Sequence, residues 1–180
     1  MACIRRLDQD IAYDCANFVL TGGTGEIDEA IVINSSDIST ISEAGGVGTI
    51  TMLTGKKGYI VNSINNSVMY QDAIKTNDTV PAAEDQSVII KILRSLDDPA
   101  GYRNVVTSML GGNFRVALKT KSGNYFLAGA FCGLEASDLA TDSSNGGIST
   151  ITLKTPEAST GDRLLALTKA VYDGLKIPKV

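Results

Sequence analysis

Few residues of this chain could carry out chemistry, and their spacing matches no catalytic motif. The 180 residues include no histidine, so the commonest general base and the commonest zinc ligand among side chains are both missing. Cys132 ends an apolar run and has no nearby histidine or cationic cluster in the sequence to stabilise a thiolate. We therefore expect Cys132 to be a small buried side chain, and we predict that the chain is not an enzyme.

Two other groups have the composition of a ligand site without its spacing. The loop Thr21–Gly25 is rich in glycine, but it lacks the Lys-Ser/Thr of a phosphate-binding loop and the six-residue spacing of a dinucleotide loop. Carboxylates gather at Glu26, Asp28 and Glu29 and again at 84–85, without the alternating oxygen ligands of a calcium loop. A flexible loop and solvated charges are the favoured interpretations. No catalytic, cofactor-binding or metal-ligating residue is predicted.

Composition predicts one soluble folded domain over residues 1–180. The apolar fraction is 43% and the charged fraction is 20%, as in globular proteins. No stretch approaches 18 apolar residues, and charges interrupt the N-terminus where a signal peptide needs its apolar core. The three cysteines are widely spaced, which favours a reducing intracellular setting. We therefore expect no membrane partner.

The net charge of −4 disfavours a surface that grips nucleic acid, because such binding depends on neutralising phosphates with Lys and Arg. The basic residues form three short, dispersed spots: Arg5 and Arg6, Lys56 and Lys57, Lys119 and Lys121. An acidic protein is, however, suited to letting DNA pass without holding it.

One phrase occurs twice, at 45–54 and 101 residues later at 146–155. Each copy is a glycine pair followed by Thr alternating with Ile, Leu or Met, and six of the ten aligned positions are identical. This alternation is typical of a half-buried strand. The copies could be two equivalent strand entries, two halves of a duplicated unit, or a convergence of two strands with the same burial.

Other alternations predict further strands. We expect strands at Glu26–Ile33 and Val88–Arg94, and a hairpin of 49–53 with 59–61 around the turn 54–58. A second two-stranded unit is predicted from 114–119 and 124–131 around Lys121-Ser122-Gly123. Its second strand is apolar on both faces, so it should be central in a sheet or covered by a neighbouring subunit.

Two helices are predicted. The first has Asp98 as N-cap, Pro99 at its first position and apolar residues at helical spacing to Leu110, before Gly111 ends it. The second is predicted over Gly161–Leu175, with Ser159 or Thr160 as cap and Gly174 and Pro178 near its end.

The segment from Asn62 to Gln86 is the least core-like, being rich in Asn, Ser, Asp and Thr. It predicts a long loop or a protruding hairpin arm. Long excursions of this kind usually serve a partner or a site, which makes the segment a candidate contact element. The alternative is a solvated excursion without a role.

Three stretches resemble the tail-tube and tube-like ring proteins of tailed bacteriophages, particularly those of Bacteroides-type hosts. They are Gly123–Gly129, Gly133–Asp138 and Gly147–Pro156. The opening 10–15, followed by 30–38, is similar to the start of such proteins.

The resemblance implies an α+β, predominantly β fold: an antiparallel β-sandwich or barrel-like tail-tube domain with one short central helix. The C-terminal helix departs from the simplest tube subunit, which leaves open a long tube or a single neck or tail ring. The implied function is that of a structural virion protein, assembled in the bacterial host cytoplasm. It would form a homo-oligomeric ring, contact other tail, neck or portal proteins, and act as a conduit for genome ejection with transient, non-specific passage of DNA. A non-catalytic ligand-binding β-sandwich, for example one for carbohydrate, is the alternative, which the absence of Trp weakens.

Overall fold

Alternating apolar and polar residues produce a mostly β architecture. The computed structural model describes residues 27–62, 67–77, 80–92, 99–142, 148–156 and 162–176. Eleven strands and two α-helices are described: β1 (Ile27–Asn34), β2 (Ile38–Ala44), β3 (Val47–Met52), β4 (Tyr59–Asn62), β5 (Val68–Asn77), β6 (Val80–Ile92), α1 (Pro99–Met109), β7 (Asn113–Thr120), β8 (Tyr125–Ala128), β9 (Leu134–Asp142), β10 (Ile148–Lys154), β11 (Leu165–Leu167) and α2 (Lys169–Gly174).

The strands form one mixed, largely antiparallel sheet in the order β2-β3-β11-β8-β7-β9-β10-β6-β5, with β4 pairing β1 and β1 pairing β7. Among the named strands, β3 and β11 make the parallel pair. The predicted class, α+β and predominantly β, is confirmed: the sheet is largely antiparallel and is accompanied by two short helices. The sheet does not close into a barrel.

Strand β7 is the branch point of the sheet. One of its edges pairs with β1 along nearly its whole length. Its other edge pairs with β8 over Val116–Lys119 and with β9 over Asn113–Phe114. Two groups of strands therefore leave this edge: the β3 lobe (β8, β11, β3 and β2) and the β10 lobe (β9, β10, β6 and β5).

Each lobe covers a different face of the central strands. Ala30 and Val32 of β1 belong to a core cluster that includes residues of β5, β6, β9 and β10. Ile31 and Ile33 point the other way, into a cluster with β3, β8, β11 and α2. Because side chains alternate along a strand, burying both faces of β1 requires an apolar run, and its core is Ala-Ile-Val-Ile.

The predicted hairpin of 49–53 with 59–61 is wrong. β3 pairs with β2 and β11, whereas β4 pairs with β1. The turn that β3 uses is Gly45-Gly46, whose φ values of 60° and 81° suit the two-residue turns of tight hairpins. β4 instead lies against the apolar strand β1.

The predicted helix over Gly161–Leu175 is too long. Residues Leu165–Leu167 form β11, and α2 covers only Lys169–Gly174. The helix cap is Thr168, whose hydroxyl accepts a hydrogen bond from the Val171 N–H at 3.3 Å. Leu165 and Leu167 suit either structure by spacing, but as strand residues both are buried between β3 and β8.

Two other predictions are confirmed. Helix α1 begins at Pro99. The apolar face of this helix is only partly covered, since Met109 is buried while Val105 remains 51% exposed. The unit around Lys121-Ser122-Gly123 is the β7–β8 hairpin. Of the two placements expected for its second strand, the structure shows the central one, because β8 lies between β7 and β11.

Candidate assembly surfaces

The described sheet has three terminal strands, β2, β4 and β5, and the two at the ends of its longest path, β2 and β5, are candidates for pairing with another chain. Within the described residues β2 pairs only with β3, and β5 only with β6. A terminal strand presents a row of backbone N–H and C=O groups that can accept a further strand. We call the outward backbone side of Ile38–Ala44 the β2 edge.

The geometry of the hairpin defines which groups the β2 edge presents. A two-residue turn joins Ala44 to Val47, so these two residues form a hydrogen-bonded pair. Pairs alternate along an antiparallel ladder. The backbone groups of Glu43 and Ile41 therefore point outward, away from β3.

The β2 edge carries little of the protection that monomeric proteins give to terminal strands. Its sequence Ile-Ser-Thr-Ile-Ser-Glu-Ala has no proline and no lysine, the residues that most often block edge pairing. Its one charged side chain, Glu43, forms an ion pair with Arg163. Thr40 and Ser42 are exposed on the outer face of the strand.

At the other end of the sheet, β5 and β6 form a long hairpin. Strand β10 pairs with β6 from Ser87 to Ile92. Between Ala73 and Asp85, the register pairs β5 and β6 only with each other in the described part of the chain. This β5–β6 ribbon lies within the segment predicted as a long loop or hairpin arm, and Lys154 anchors its base through an ion pair with Asp85 at 3.4 Å.

A third surface is the 129–133 loop (Gly-Ala-Phe-Cys-Gly), which connects the two lobes. Side chains from elsewhere hold its backbone. Asp162 is fully buried and accepts hydrogen bonds from the N–H groups of Phe131 (3.2 Å) and Cys132 (3.0 Å). The buried Gln86 accepts another from the Gly129 N–H at 2.8 Å.

Arg115 and Asn113 hold the carbonyl side of the same loop. Arg115 Nη2 donates to the Phe131 carbonyl at 3.1 Å, and Asn113 Nδ2 donates to the Cys132 carbonyl at 3.3 Å. Desolvation lowers the pKa of Arg115, and the nearby Asp162 charge opposes that shift. The guanidinium stays charged, since arginine pKa values lie far above neutrality.

Glycine is required at the end of this loop. Gly133 has a φ of 76°, and a Cβ placed there would lie 2.0 Å from Asn113 Oδ1. The packed loop nevertheless leaves one large apolar side chain in solvent, since Phe131 is 48% exposed.

A fourth surface is an open groove of about 410 Å³ between β3 and α2. We call it the β3–α2 groove. It exists because β11 pairs with β3 only at Val47 and Gly48; beyond that point the chain turns into α2. Its lining includes Met52, Leu53, Lys56, Lys57, Ala170 and Val171.

The carboxylates flagged in the sequence do not converge on a site. Asp28 pairs with Lys119, and Glu29 pairs with Lys176 at 2.6 Å. Glu29 also accepts a hydrogen bond from the Tyr172 hydroxyl at 3.1 Å. In the part of the chain that the structure describes, no group of three or more Cys, Asp or Glu residues could hold a metal ion.

The basic spots are likewise separate. Lys56 pairs with Asp37 at 3.4 Å, and Lys57 donates to the Gly174 carbonyl at 2.6 Å, at the end of α2. Cys132 is partly exposed rather than buried, which corrects the expectation for it. Neither described helix is long and apolar enough to cross a membrane. The glycine loop 21–25, Glu26, Arg5 and Arg6, and the cap Asp98 lie outside the described residues.

Sequence reasoning missed Asp162, Gln86 and Arg115. Asp162 falls in the first turn of the helix predicted over Gly161–Leu175, whereas in the structure it supports the 129–133 loop. The available signal was a polar residue inside an apolar strand, as with Arg115 in Phe-Arg-Val-Ala-Leu. Such a residue needs buried partners.

Comparisons with known proteins give no relative for this chain: no family model, no curated protein and no solved structure matches it.

Proposed function

We propose that this chain is a structural subunit that joins copies of itself, edge to edge, into a ring or tube. By its resemblance to phage tube and ring proteins, that ring belongs to the tail or neck of a virion and conducts the genome. The observation that carries the proposal is the open sheet. Its terminal strands β2 and β5 each pair with a single strand among the described residues.

Head-to-tail pairing of β2 with β5 would satisfy these two terminal strands at once and leave the short strand β4 paired with β1 alone. When two different edges meet and the rotation closes, the product is a ring. Closure also removes the exposed edges that would otherwise favour uncontrolled aggregation. The unprotected sequence of the β2 edge supports a role in pairing.

The charge supports a conduit rather than a DNA-binding protein. The net charge is −4, and Lys119 and Lys154 are tied to the carboxylates of Asp28 and Asp85. Since phosphate binding depends on available cations, DNA would slide past such a surface. Other tail, neck or portal proteins would contact the ring above and below.

The test is the mass and shape of the purified full chain. We expect annular particles by electron microscopy and a correspondingly high mass by light scattering. The variant Ser42→Lys places a charge on the β2 edge and should shift the population toward monomer, because lysine on a terminal strand disfavours further pairing.

Thr49→Lys is the matched control. Thr49 is the cross-strand partner of Ser42, and both are exposed, but Thr49 lies one strand inward. It should assemble like the wild type. A wild-type chain that stays a monodisperse monomer at micromolar concentration contradicts the proposal, and equal assembly of the two variants excludes the β2 edge as the contact.

A further inference from the structure

We propose that Phe131 of one copy inserts into the β3–α2 groove of a second copy. The contact deepens the proposed function, on which it rests, by naming a side-chain interface between neighbours. Four features support the contact: the fixed backbone of the 129–133 loop, the size and lining of the groove, the separation of the two within one copy, and the charges beside them.

The backbone of Phe131 is held in place within a single copy. Asp162 and Arg115 bind the backbone N–H and C=O of Phe131 itself, so little backbone freedom remains to be lost when the ring is buried. An aromatic side chain on a fixed backbone is typical of interface hot spots, because little further conformational entropy is lost when such a side chain binds. The ring is 48% exposed in one copy.

The β3–α2 groove is large and apolar enough to take a phenylalanine side chain. Its volume of about 410 Å³ lies in the range of sites that bury small ligands or side chains. Leu53 is 45% exposed on its wall, and Met52 and Val171 also line it. Methionine and leucine give an adaptable apolar surface for an aromatic ring.

Phe131 cannot reach the β3–α2 groove of its own copy. β8 runs antiparallel to β11, so the 129–133 loop lies at the N-terminal end of β11. β3 runs parallel to β11 and continues to Met52, so the groove lies at the opposite end. Six residues of strand separate Gly46, level with the loop end, from Met52, which is roughly 20 Å. The contact must therefore join two chains.

The two surfaces carry complementary charges. The exposed Glu135 lies beside the loop, since Asn113 Nδ2 donates both to its carboxylate and to the Cys132 carbonyl, each at 3.3 Å. The groove is bordered by Lys56, whose side chain is 56% exposed even though it pairs with Asp37. Opposite charges around an apolar contact set its orientation.

The first experiment is a mixing test between two damaged surfaces. Phe131→Asp removes the ring, and Ala170→Trp fills the groove from an exposed position on α2. Each variant alone should self-associate about tenfold more weakly or worse. A mixed pair of chains retains one intact Phe131 side chain and one intact groove. The mixture should therefore restore one Phe131–groove contact per pair, as measured by analytical ultracentrifugation.

The controls separate this contact from general damage. Val105→Asp removes an apolar side chain of similar exposure (51%) from α1 and should associate like the wild type. Circular dichroism and denaturant unfolding establish that each variant is folded. If folded Phe131→Asp associates like the wild type, or if the mixture gains no contact, the proposal is overturned.

The second experiment detects the contact even when it is weak. In a Cys3→Ser, Cys15→Ser background, Ala170→Cys and a short bis-maleimide should link Cys132 of one copy to position 170 of another, giving dimers on a denaturing gel. Val105→Cys in the same background should not. Cross-linked dimers without annular particles support the contact and contradict the ring; annular particles without cross-links contradict only the contact; neither product contradicts both.

Discussion

Ile50 and Ile151 occupy the same place in the repeated phrase, yet their surroundings differ. Both lie on the second strand of an antiparallel hairpin, β2–β3 or β9–β10, and both point inward. Strand β10 is paired on both sides over nearly its whole length. Strand β3 is fully paired only with β2, because β11 reaches just Val47 and Gly48.

A local sequence pattern determines that a segment forms a strand and which of its side chains point inward, whereas the neighbouring strands determine how deeply those side chains are buried. Ile151 is 0% exposed and Ile50 is 8% exposed. The incomplete pairing of β3 is also what opens the β3–α2 groove. The shared hairpin position fits two equivalent strand entries, while the lobes differ in how the next strand is added, parallel for β11 and antiparallel for β6.

The largest expected effect comes from truncating the two isoleucines. Ile151→Ala should lower the free energy of unfolding by about 4 kcal/mol, and Ile50→Ala by about 2 kcal/mol, because the fully enclosed site cannot collapse around the cavity. Guanidinium unfolding of both variants in one buffer measures the difference. Equal losses would show that the two lobes are packed alike.

A smaller effect should come from Tyr172, which closes the core of the β3 lobe. Burial raises the pKa of its hydroxyl above the usual 10.0, and the neighbouring Glu29 adds to the shift. A raised folded pKa means that this stability is fully present below pH 10 and is lost as the pH rises further, when the unfolded chain ionises more readily. Tyr172→Phe should cost about 1 kcal/mol at pH 8 through the lost hydrogen bond.

The same variant should lose less stability than the wild type between pH 8 and pH 11, as measured by denaturant unfolding at both values. Tyr59→Phe is the control, since the Tyr59 side chain is 56% exposed, and it should lose as much as the wild type. If Tyr172→Phe loses as much stability as the wild type between pH 8 and pH 11, ionisation of the Tyr172 hydroxyl is not what destabilises the protein at high pH.

The smallest effects should come from the exposed ion pairs, one in each lobe. Arg163→Ala breaks the pair with Glu43 in the β3 lobe, and Lys154→Ala breaks the pair with Asp85 in the β10 lobe. Each should change stability by no more than about 1 kcal/mol, and less in high salt. Thermal unfolding at low and high salt tests this; a loss several times larger would make the pair a structural link of its lobe.

Much of the fold could be predicted where the pattern is local. Pro99 marks the start of α1, and Gly123, with a φ of 86°, marks the β7–β8 turn. The prediction failed where two partners compete for one strand. Nothing near Tyr59 in the sequence indicates that β4 pairs with β1 rather than with β3.

The candidate surfaces were less predictable than the strands. The polar composition of the β5–β6 segment distinguishes it in the sequence. The support of the 129–133 loop by Asp162 and Gln86 is not visible there, because the bonded residues are 30 to 43 positions apart. The sequence around Leu165 fits a helix, and only the gap between β3 and β8 makes it a strand.

By itself, the sequence determined that this protein is mostly strands, that its twin phrases point Ile50 and Ile151 inward, and that no histidine chemistry is available. The tertiary structure alone decided that β7 splits the sheet, that β3 is left half-paired and that Phe131 is held in solvent. The physical reason is range: alternation and turn residues act between neighbours in the chain, whereas pairing and burial depend on which distant segments meet.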